Sequence, residues 1–256
     1  MIKQPIPSCL QEPFLEVREL QYNAGSREAF HAHEQGQLIY PLSGVAKVRT
    51  EQSIWVLAPG HALWLPGKLP HGLEAIDRVV THNLYMSPAM SAGFAADCRS
   101  FAITPLFQSL TVAGLEKPTD SRRAQLLHDL LYNELLRLQP VSLCHVILPQ
   151  DRRIRQMCDA LCNSLSQRET LAWWGKQVGA SERTLARLFR EQTQLSFTEW
   201  RQQIHLVEAV CHLARGTSIN QLSTVLGYSS TSAFIAMFRK KLGVSPQRYI
   251  GRLTHQ

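Results

Sequence analysis

Residues 185–200, LARLFREQTQLSFTEW, and residues 234–249, FIAMFRKKLGVSPQRY, are two copies of one pattern, and this pattern decides the fold of the C-terminal part of the chain. The segments align without a gap at a constant offset of 49 residues. Three positions are identical in the two copies (Phe189, Arg190 and Ser196), and four are similar (Leu185, Leu188, Leu195 and Trp200). A repeat of this kind indicates one structural unit used twice.

Each copy predicts two helices joined by a tight turn. In the first, a short helix ends at Gly179, and Ser181 is placed to cap the helix that follows. In the second, the first helix ends at Gly227, and Ser229 or Ser230 opens the next. A helix, a glycine-containing turn and a second helix form a helix-turn-helix, whose second helix enters the major groove of DNA. We expect these motifs at about 170–191 and 218–241.

A long helix is predicted between the two motifs. Residues 197–216, FTEWRQQIHLVEAVCHLARG, have apolar residues at helical spacing up to Gly216. About eighteen helical residues span roughly 27 Å. This length is close to one turn of DNA, about 34 Å, so one rigid connector suits two reading helices in successive major grooves.

The charge of the chain is concentrated in the same part. Residues 151–256 carry 15 Lys and Arg against 7 Asp and Glu, whereas residues 1–150 carry 12 against 13. A basic domain attached to a neutral one favours binding to a polyanion. A well-solvated basic surface is the alternative that charge alone leaves open.

Residues 152–252 resemble the DNA-binding domain of AraC/XylS-type transcription regulators. The resemblance is carried by TLARLFREQT, LSFTEWR and LARG, and most specifically by LGYSSTSAF and FRKKLGVSPQRY. It implies an all-α bihelical domain at 151–256 that binds double-stranded DNA. The residues it places against base edges are Glu182, Arg183, Ala186 and Arg187 in the first motif, and Thr231, Ser232, Ile235 and Ala236 in the second. Arg190, Arg239 and Lys240 lie further along, where phosphate contacts are expected.

The chain departs from this family at two places. Trp173 and Trp174 stand where small or aliphatic residues are usual, so we expect one in the core and the other exposed. The second reading helix has few strong hydrogen-bond donors. We therefore expect the first motif to read sequence more sharply.

The N-terminal part predicts an antiparallel β structure. Residues 37–65 contain short apolar runs (QLIYPL, VAKVRT, IWVLAP and ALWLP) separated by turn residues. Together with the helices and the bihelical domain, this predicts an α+β chain of two domains. The first would be a β-barrel of cupin or jelly-roll type.

A His-x-His pair precedes these strands and supports the resemblance to cupins. The first cupin motif matches at Gly25, His31, His33 and Gly44, with Gln37 in place of glutamate. The second matches at Gly60, Pro66 and His71, with Lys68 in place of glycine and Ala75 in place of asparagine. Three histidines suffice for a zinc-like divalent ion, and the missing carboxylate disfavours iron and manganese. No cofactor is required. The alternative is a ligand pocket lined by His31, His33, Gln37 and His71 without metal.

Residues 91–139 are predicted to be helical. Leu127, Leu130, Leu131, Leu135 and Leu138 form one apolar stripe, with Tyr132 and Glu134 off it, that either packs on its own domain or pairs subunits of a homodimer. The segment QPVSLCHVILPQ changes composition and contains two prolines, Pro140 and Pro149. Residues 141–150 are therefore predicted as the linker, which places the sensor and dimerisation domain at 1–140.

The six cysteines (Cys9, Cys98, Cys144, Cys158, Cys162 and Cys211) have no framework spacing. Buried thiols are the expectation, also for Cys158 and Cys162, which share a helix face. No signal-peptide core and no apolar run of membrane length are present, so a cytoplasmic protein without a membrane partner is expected.

These patterns predict a sequence-specific transcription regulator rather than an enzyme. It would respond to a small-molecule effector, contact RNA polymerase if it activates, and act on a nearby promoter such as that of a transporter gene. One alternative is a metal-dependent cupin enzyme with an appended DNA-binding domain. Another is a nucleoid-type protein without sequence preference.

Overall fold

The computed structural model describes residues 14–116, 121–141, 144–165 and 169–254. Within these ranges the strands are β1 (Leu15–Tyr22), β2 (Arg27–His31), β3 (Gly36–Ser43), β4 (Ala46–Thr50), β5 (Ser53–Leu57), β6 (His61–Leu65), β7 (His71–Ala75), β8 (Val79–Met86), β9 (Arg99–Ala102) and β10 (His145–Ile147). The helices of the same ranges are α1 (Pro88–Ser91), α2 (Pro105–Gly114), α3 (Ser121–Arg137), α4 (Arg152–Asn163), α5 (Leu171–Val178), α6 (Glu182–Thr193), α7 (Phe197–Ala214), α8 (Ile219–Val225), α9 (Thr231–Leu242) and α10 (Pro246–Thr254). Cys9 lies outside the described residues.

The strands form two antiparallel sheets. Sheet A has the order β1-β8-β3-β6-β9, and sheet B has the order β10-β5-β4-β7-β2. Alternate residues of both sheets, such as Ile39, Leu63 and Leu73, are buried in a shared apolar interior, as expected for side chains that alternate between the faces of a strand. The predicted α+β class with an antiparallel N-terminal domain and a helical C-terminal domain is confirmed.

The outer face of sheet A is covered by α1, α2 and α3. Leu38 and Trp64 of the sheet pack with Phe107 of α2 and with Leu131 and Leu135 of α3. The prediction of helix over 91–139 is wrong at 99–102, where β9 pairs with β6. Four residues are too few to show a strand period, and this edge strand gains its stability from the sheet beside it.

Two residues of α3, one predicted on the apolar stripe and one predicted off it, differ from the prediction. Leu130 is 45% exposed, whereas Tyr132 packs inward and its hydroxyl donates to the Met90 carbonyl oxygen at 3.1 Å. Successive residues of a helix point about 100° apart, so Leu130 cannot share the centre of the face that buries Leu131.

The C-terminal helices α4–α10 enclose a second core, in which Trp200, Phe189, Phe234 and Phe238 are fully buried. The expectation for the two adjacent tryptophans is confirmed. Trp174 is 5% exposed and lies in the core, and Trp173 is 43% exposed.

The outer face of sheet B packs on this helical core. Ile54 and Val56 of β5 and Val146 of β10 belong to the same buried cluster as Ile204 and Trp200 of α7. Residues 145–147, inside the segment predicted as the linker, are therefore a strand paired with β5 rather than a free connection. The domain boundaries at 140 and 151 stay a prediction.

Five cysteines lie in the described residues and are free thiols; the predicted burial of Cys158 is confirmed, whereas Cys162 is half-buried. Among the described helices, none combines the length and the apolar character that crossing a bilayer requires.

Candidate nucleic-acid interface and sensor site

The first helix-turn-helix consists of α5 and α6. Gly179 ends α5 with a left-handed backbone (φ +67°), and the Ser181 side chain accepts a hydrogen bond from the Thr184 N–H at 3.2 Å to cap α6. A Cβ atom on Gly175 would lie 2.5 Å from the Ala180 carbonyl oxygen, so only glycine lets the turn approach α5 this closely. The predicted motif is confirmed in its elements.

The second motif repeats the plan with α8 and α9. Gly227 has a left-handed backbone (φ +72°), and Ser230, rather than Ser229, caps α9 by accepting from the Ala233 N–H at 3.2 Å. Phe234 and Phe238 hold α9 on the core as Leu185 and Phe189 hold α6. The two reading helices are thus presented by equivalent packing.

The predicted DNA-contacting residues lie on the opposite faces of these helices. All of them are exposed or half-buried in the structure: Glu182, Arg183, Ala186, Arg187, Arg190, Thr231, Ser232, Ile235, Ala236, Arg239 and Lys240. On α9, five of these residues form one open surface patch, which mixes the apolar Ile235 and Ala236 with the cations Arg239 and Lys240. This surface has the chemistry that a major-groove edge requires.

Two predicted readers already have partners within the protein. The Arg187 guanidinium donates to both carboxylate oxygens of Glu191, one turn further along α6, at 2.7 Å. The Thr231 hydroxyl lies 3.2 Å from Asn220 Oδ1 and 3.1 Å from Ser223 Oγ, both on α8. Thr231 therefore stabilises the packing of α9 on α8 in the second motif.

The connector α7 joins the two motifs as one 18-residue helix. Its first turn is fixed by a capping box in which Ser196 and Glu199 bond each other's backbone N–H groups. Ile204, Val207 and Val210 are fully buried, so α7 is the central core helix of the domain.

The three predicted histidines come together between the two sheets. His31 on β2 and His71 on β7 are direct cross-strand partners, with ring centroids 4.5 Å apart, and His33 follows β2. One ligand nitrogen from each ring lies within 4.8 Å of the other two. Gln37 enters from β3 of the opposite sheet, with Oε1 2.9 Å from His33 Nε2.

Backbone carbonyls orient all three rings. Nδ1 of His31, His33 and His71 lies 2.8–3.0 Å from the carbonyl oxygens of Ala29, Gln35 and Leu69, respectively. Such contacts hold the proton on Nδ1 of His31 and His71 and make Nε2 the coordinating atom, as in known metal sites. His33 has an acceptor at each ring nitrogen, because its Nε2 faces Gln37 Oε1, so this contact would have to open for His33 to coordinate an ion. Burial, with a smaller contribution from the other two histidines, lowers the pKa of His71 to about 4, so this ring is neutral at pH 7 and ready to bind an ion.

Two further residues of this site were missed in the sequence. The Gln37 amide donates to Asn83 Oδ1 at 3.0 Å and to the Tyr85 hydroxyl at 3.2 Å, both on β8. Thr81, Asn83 and Tyr85 lie on one face of β8, because alternate residues of a strand point the same way, and this spacing is the signal that could have found them. At the position where Lys68 replaces the cupin glycine, the backbone keeps the left-handed conformation (φ +66°).

The chain is similar in sequence to known families and proteins. The model of the AraC-like ligand binding domain matches residues 14–193, and a model of the helix-turn-helix domain matches residues 174–252. The chain is 34% identical to the HTH-type transcriptional regulator NimR of Escherichia coli over 227 residues, which cover 88% of this chain and 82% of NimR. It is 24% identical to the HTH-type transcriptional regulator RipA of Corynebacterium glutamicum over 83% of this chain and 61% of RipA. Among solved structures, ToxT of Vibrio cholerae matches with a TM-score of 0.42 at 12% identity, over 94% of this chain and 99% of ToxT.

A two-sheet sensor domain that carries a pair of helix-turn-helix motifs defines a one-component DNA-binding regulator. The chain belongs to the AraC-type family of transcription regulators, with an AraC-like ligand-binding domain and a helix-turn-helix domain that binds DNA.

Proposed function

We propose that the protein binds a specific operator through α6 and α9 and thereby regulates a nearby promoter, such as that of a transporter gene. The observation that carries this proposal is the presentation of two exposed reading helices by one rigid 18-residue connector. Arg183 and Arg187 are the strongest base readers, because an arginine can bind guanine O6 and N7 together. Arg190, Arg239 and Lys240 supply phosphate contacts.

Footprinting on DNA selected from a random pool tests this proposal. We expect two protected stretches about ten base pairs apart, one for each motif. Competition with random DNA across a salt series supplies the control, because binding to phosphates alone shows no preference at any salt concentration. A single protected stretch, or equal affinity for random DNA, would contradict it.

The sensor site is proposed to hold a zinc-like divalent ion. The donor set fits such an ion, because one nitrogen from each of three imidazoles lies within 4.8 Å of the other two, and carbonyl contacts orient His31 and His71 for coordination through Nε2. When bound, the ion would give a small-molecule effector a coordination point beside the hydrogen-bonded Gln37, Asn83 and Tyr85 side chains. Elemental analysis should find one ion per chain, and none in the His71→Ala protein.

Catalysis is not part of the proposal. Gln37 occupies the place of the cupin carboxylate and is hydrogen-bonded as an amide, and the relatives are named transcription regulators. A regulator that binds promoter DNA is proposed to act in the cytoplasm, with RNA polymerase as a partner if it activates.

A homodimer is proposed to form through the helices on sheet A. Leu106 of α2 and Leu126 and Leu130 of α3 are each about half exposed, on the two helices that cover the sensor domain. Large apolar side chains in this position are typical of a protein interface. Sedimentation should show a dimer, and the Leu126→Glu/Leu130→Glu protein should be a monomer.

A further inference from the structure

The connector α7 contacts the sensor at three points along one of its faces. The Trp200 Nε1–H donates to the Ile147 carbonyl oxygen at 2.7 Å, the Glu208 carboxylate accepts from Lys47 Nζ at 2.8 Å, and the Arg215 guanidinium, at the end of the helix, donates to Glu74 at 3.4 Å. These residues are eight and seven positions apart, about two helical turns each, so they lie on the same side of α7. Ile204 and Cys211 between them are fully buried.

The three points lie on different strands of sheet B. Ile147 belongs to β10, Lys47 to β4 and Glu74 to β7, which are the first, third and fourth strands of the sheet. Three strand spacings are about 14 Å, and the helix from Trp200 to Arg215 is about 22 Å long. The connector therefore crosses the sheet obliquely, from the edge strand β10 to the strand that carries His71.

The middle contact is the one best shielded from water. The Lys47 and Glu208 side chains are 17% and 14% exposed, in contrast to the other ion pairs between the two domains. An ion pair in such a position loses much more when one partner is removed than an exposed pair does. It fixes where α7 sits on the sheet.

The last contact joins α7 to the histidine site. Glu74 is three residues from His71 on β7, about 10 Å along the strand. Its carboxylate also accepts from Arg27 of β2 at 3.3 Å, and β2 carries His31. A shift of β2 against β7 at the histidines therefore moves the carboxylate that holds the end of α7.

We propose that α7, docked across sheet B by the Lys47–Glu208 and Glu74–Arg215 pairs, transmits occupancy of the three-histidine site to the two helix-turn-helix motifs. The proposal rests on the proposed function, because it needs an operator to read out the change. Since α6 and α8 directly precede and follow α7, any change in how α7 sits on the sensor alters how the two motifs are presented to DNA. The Gln192 side chain adds a tie from the end of α6 to the backbone N–H groups of Gln150 and Asp151, at 2.9 and 3.0 Å.

The experiment uses the full chain with Zn²⁺ as the probe. Operator affinity is measured with and without Zn²⁺ for the wild type, for Lys47→Glu, for Glu208→Lys and for the double variant with both substitutions, which restores the pair in reverse. In the wild type we expect Zn²⁺ to change the operator Kd by about fivefold or more. In each single variant the change should fall below about twofold although zinc content stays the same, and the double variant should recover the wild-type response. A matched control exchanges the charges of the exposed Arg123–Glu116 pair, which lies away from sheet B, and should leave the response unchanged.

Thermal unfolding of the same proteins separates this inference from the proposed function. Each single variant should lower the first unfolding midpoint by about 5 °C or more, and the double variant should recover most of the loss. A wild type whose operator affinity ignores bound Zn²⁺, or single variants that keep the full zinc response, would overturn the transmission. A double variant no more stable than the singles would overturn the docking. If no variant binds any operator, the proposed function fails, and the melting data still decide whether α7 is docked on sheet B.

Discussion

Replacing Arg187 by alanine should remove sequence discrimination at one base pair of the operator. In the protein alone, the Arg187 guanidinium is held by Glu191 at 2.7 Å, with the two side chains 60% and 51% exposed. Such an exposed pair contributes no more than about 1 kcal/mol. A bidentate guanine contact contributes about 1–3 kcal/mol of discrimination. The free energy of the guanine contact therefore exceeds that of the Arg187–Glu191 pair. Loss of this contact in Arg187→Ala should reduce discrimination at one base pair by roughly 5- to 150-fold.

The measurement is fluorescence anisotropy with operator DNA selected by the wild-type protein. Affinities for the selected sequence and for each single base-pair change are determined at one fixed salt concentration. The Arg187→Ala profile should become flat at one position and stay unchanged elsewhere. Arg190→Ala is the matched control: as a phosphate contact, its loss should weaken binding to all sequences equally and reduce the salt dependence by about one phosphate.

Full discrimination by Arg187→Ala would refute the assignment of this side chain to a base. The Glu191→Gln protein then tests how the ion pair acts. If Glu191 only competes with DNA, its neutralisation should raise affinity by up to about fivefold. A loss of both affinity and discrimination would instead show that Glu191 positions Arg187 for the base.

Four further predictions follow from the packing and the sensor site. Trp174→Ala should lower the free energy of unfolding by about 3–5 kcal/mol, because Trp174 is 5% exposed. Trp173 is 43% exposed, so Trp173→Ala should change this free energy by less than about 1 kcal/mol, as measured by urea unfolding of both variants. Lys68→Gly should leave the fold intact and stabilise it by up to about 1 kcal/mol in the same assay, since the left-handed backbone at this position (φ +66°) disfavours a side chain; a destabilised variant would contradict this reason. Gln37→Glu should tighten Zn²⁺ binding on the order of tenfold in a chelator competition. The same substitution should make the zinc-free protein less stable than the wild type, because it buries a carboxylate. Burial, and next Arg201, lower the pKa of His205 to about 4, below its unfolded value of about 6.5. The unfolded chain therefore binds a proton first as the pH falls, and the free energy of unfolding should drop between pH 6.5 and 4 by on the order of 2 kcal/mol. The His205→Gln protein should show a smaller drop over this range, and an unchanged pH profile would contradict the role of His205.

The helical half could be predicted from the sequence in detail, because its signals are local. Gly179 ends one helix and Ser181 starts the next through contacts within a few residues, and the apolar spacing of Leu185 and Phe189 specifies the buried face directly. The same pattern of turn, cap and apolar residues occurs twice at an offset of 49 residues, so each copy checks the prediction made from the other.

In the sheet half, apolar runs and turn residues predicted the strands within 37–65, and motif spacing named the three histidines. Asn83 and Tyr85 lie 46 and 48 residues from Gln37 in sequence, and the spacing of polar residues along β8 does not tell which residue faces them across the strand pairing. The strand β10 was not predicted, because its pairing with β5 also joins residues that are far apart in sequence. Three residues between prolines resemble a linker until β5 supplies the hydrogen bonds that make them a strand.

The contacts that were hardest to foresee are those between the domains, and they bear most on regulation. A flexible linker would let the DNA-binding domain move independently, so the sensor could influence it only by changing how two subunits pair. With β10 built into sheet B and α7 pinned across that sheet by Trp200, Lys47 and Glu74, the two domains share one core. Because a packed core changes between discrete arrangements rather than bending continuously, we expect a displacement at the histidine strands to be taken up at the connector. In the proposed mechanism, the same face of α7 that stabilises the fold would be the route by which an effector acts on DNA binding within a single chain.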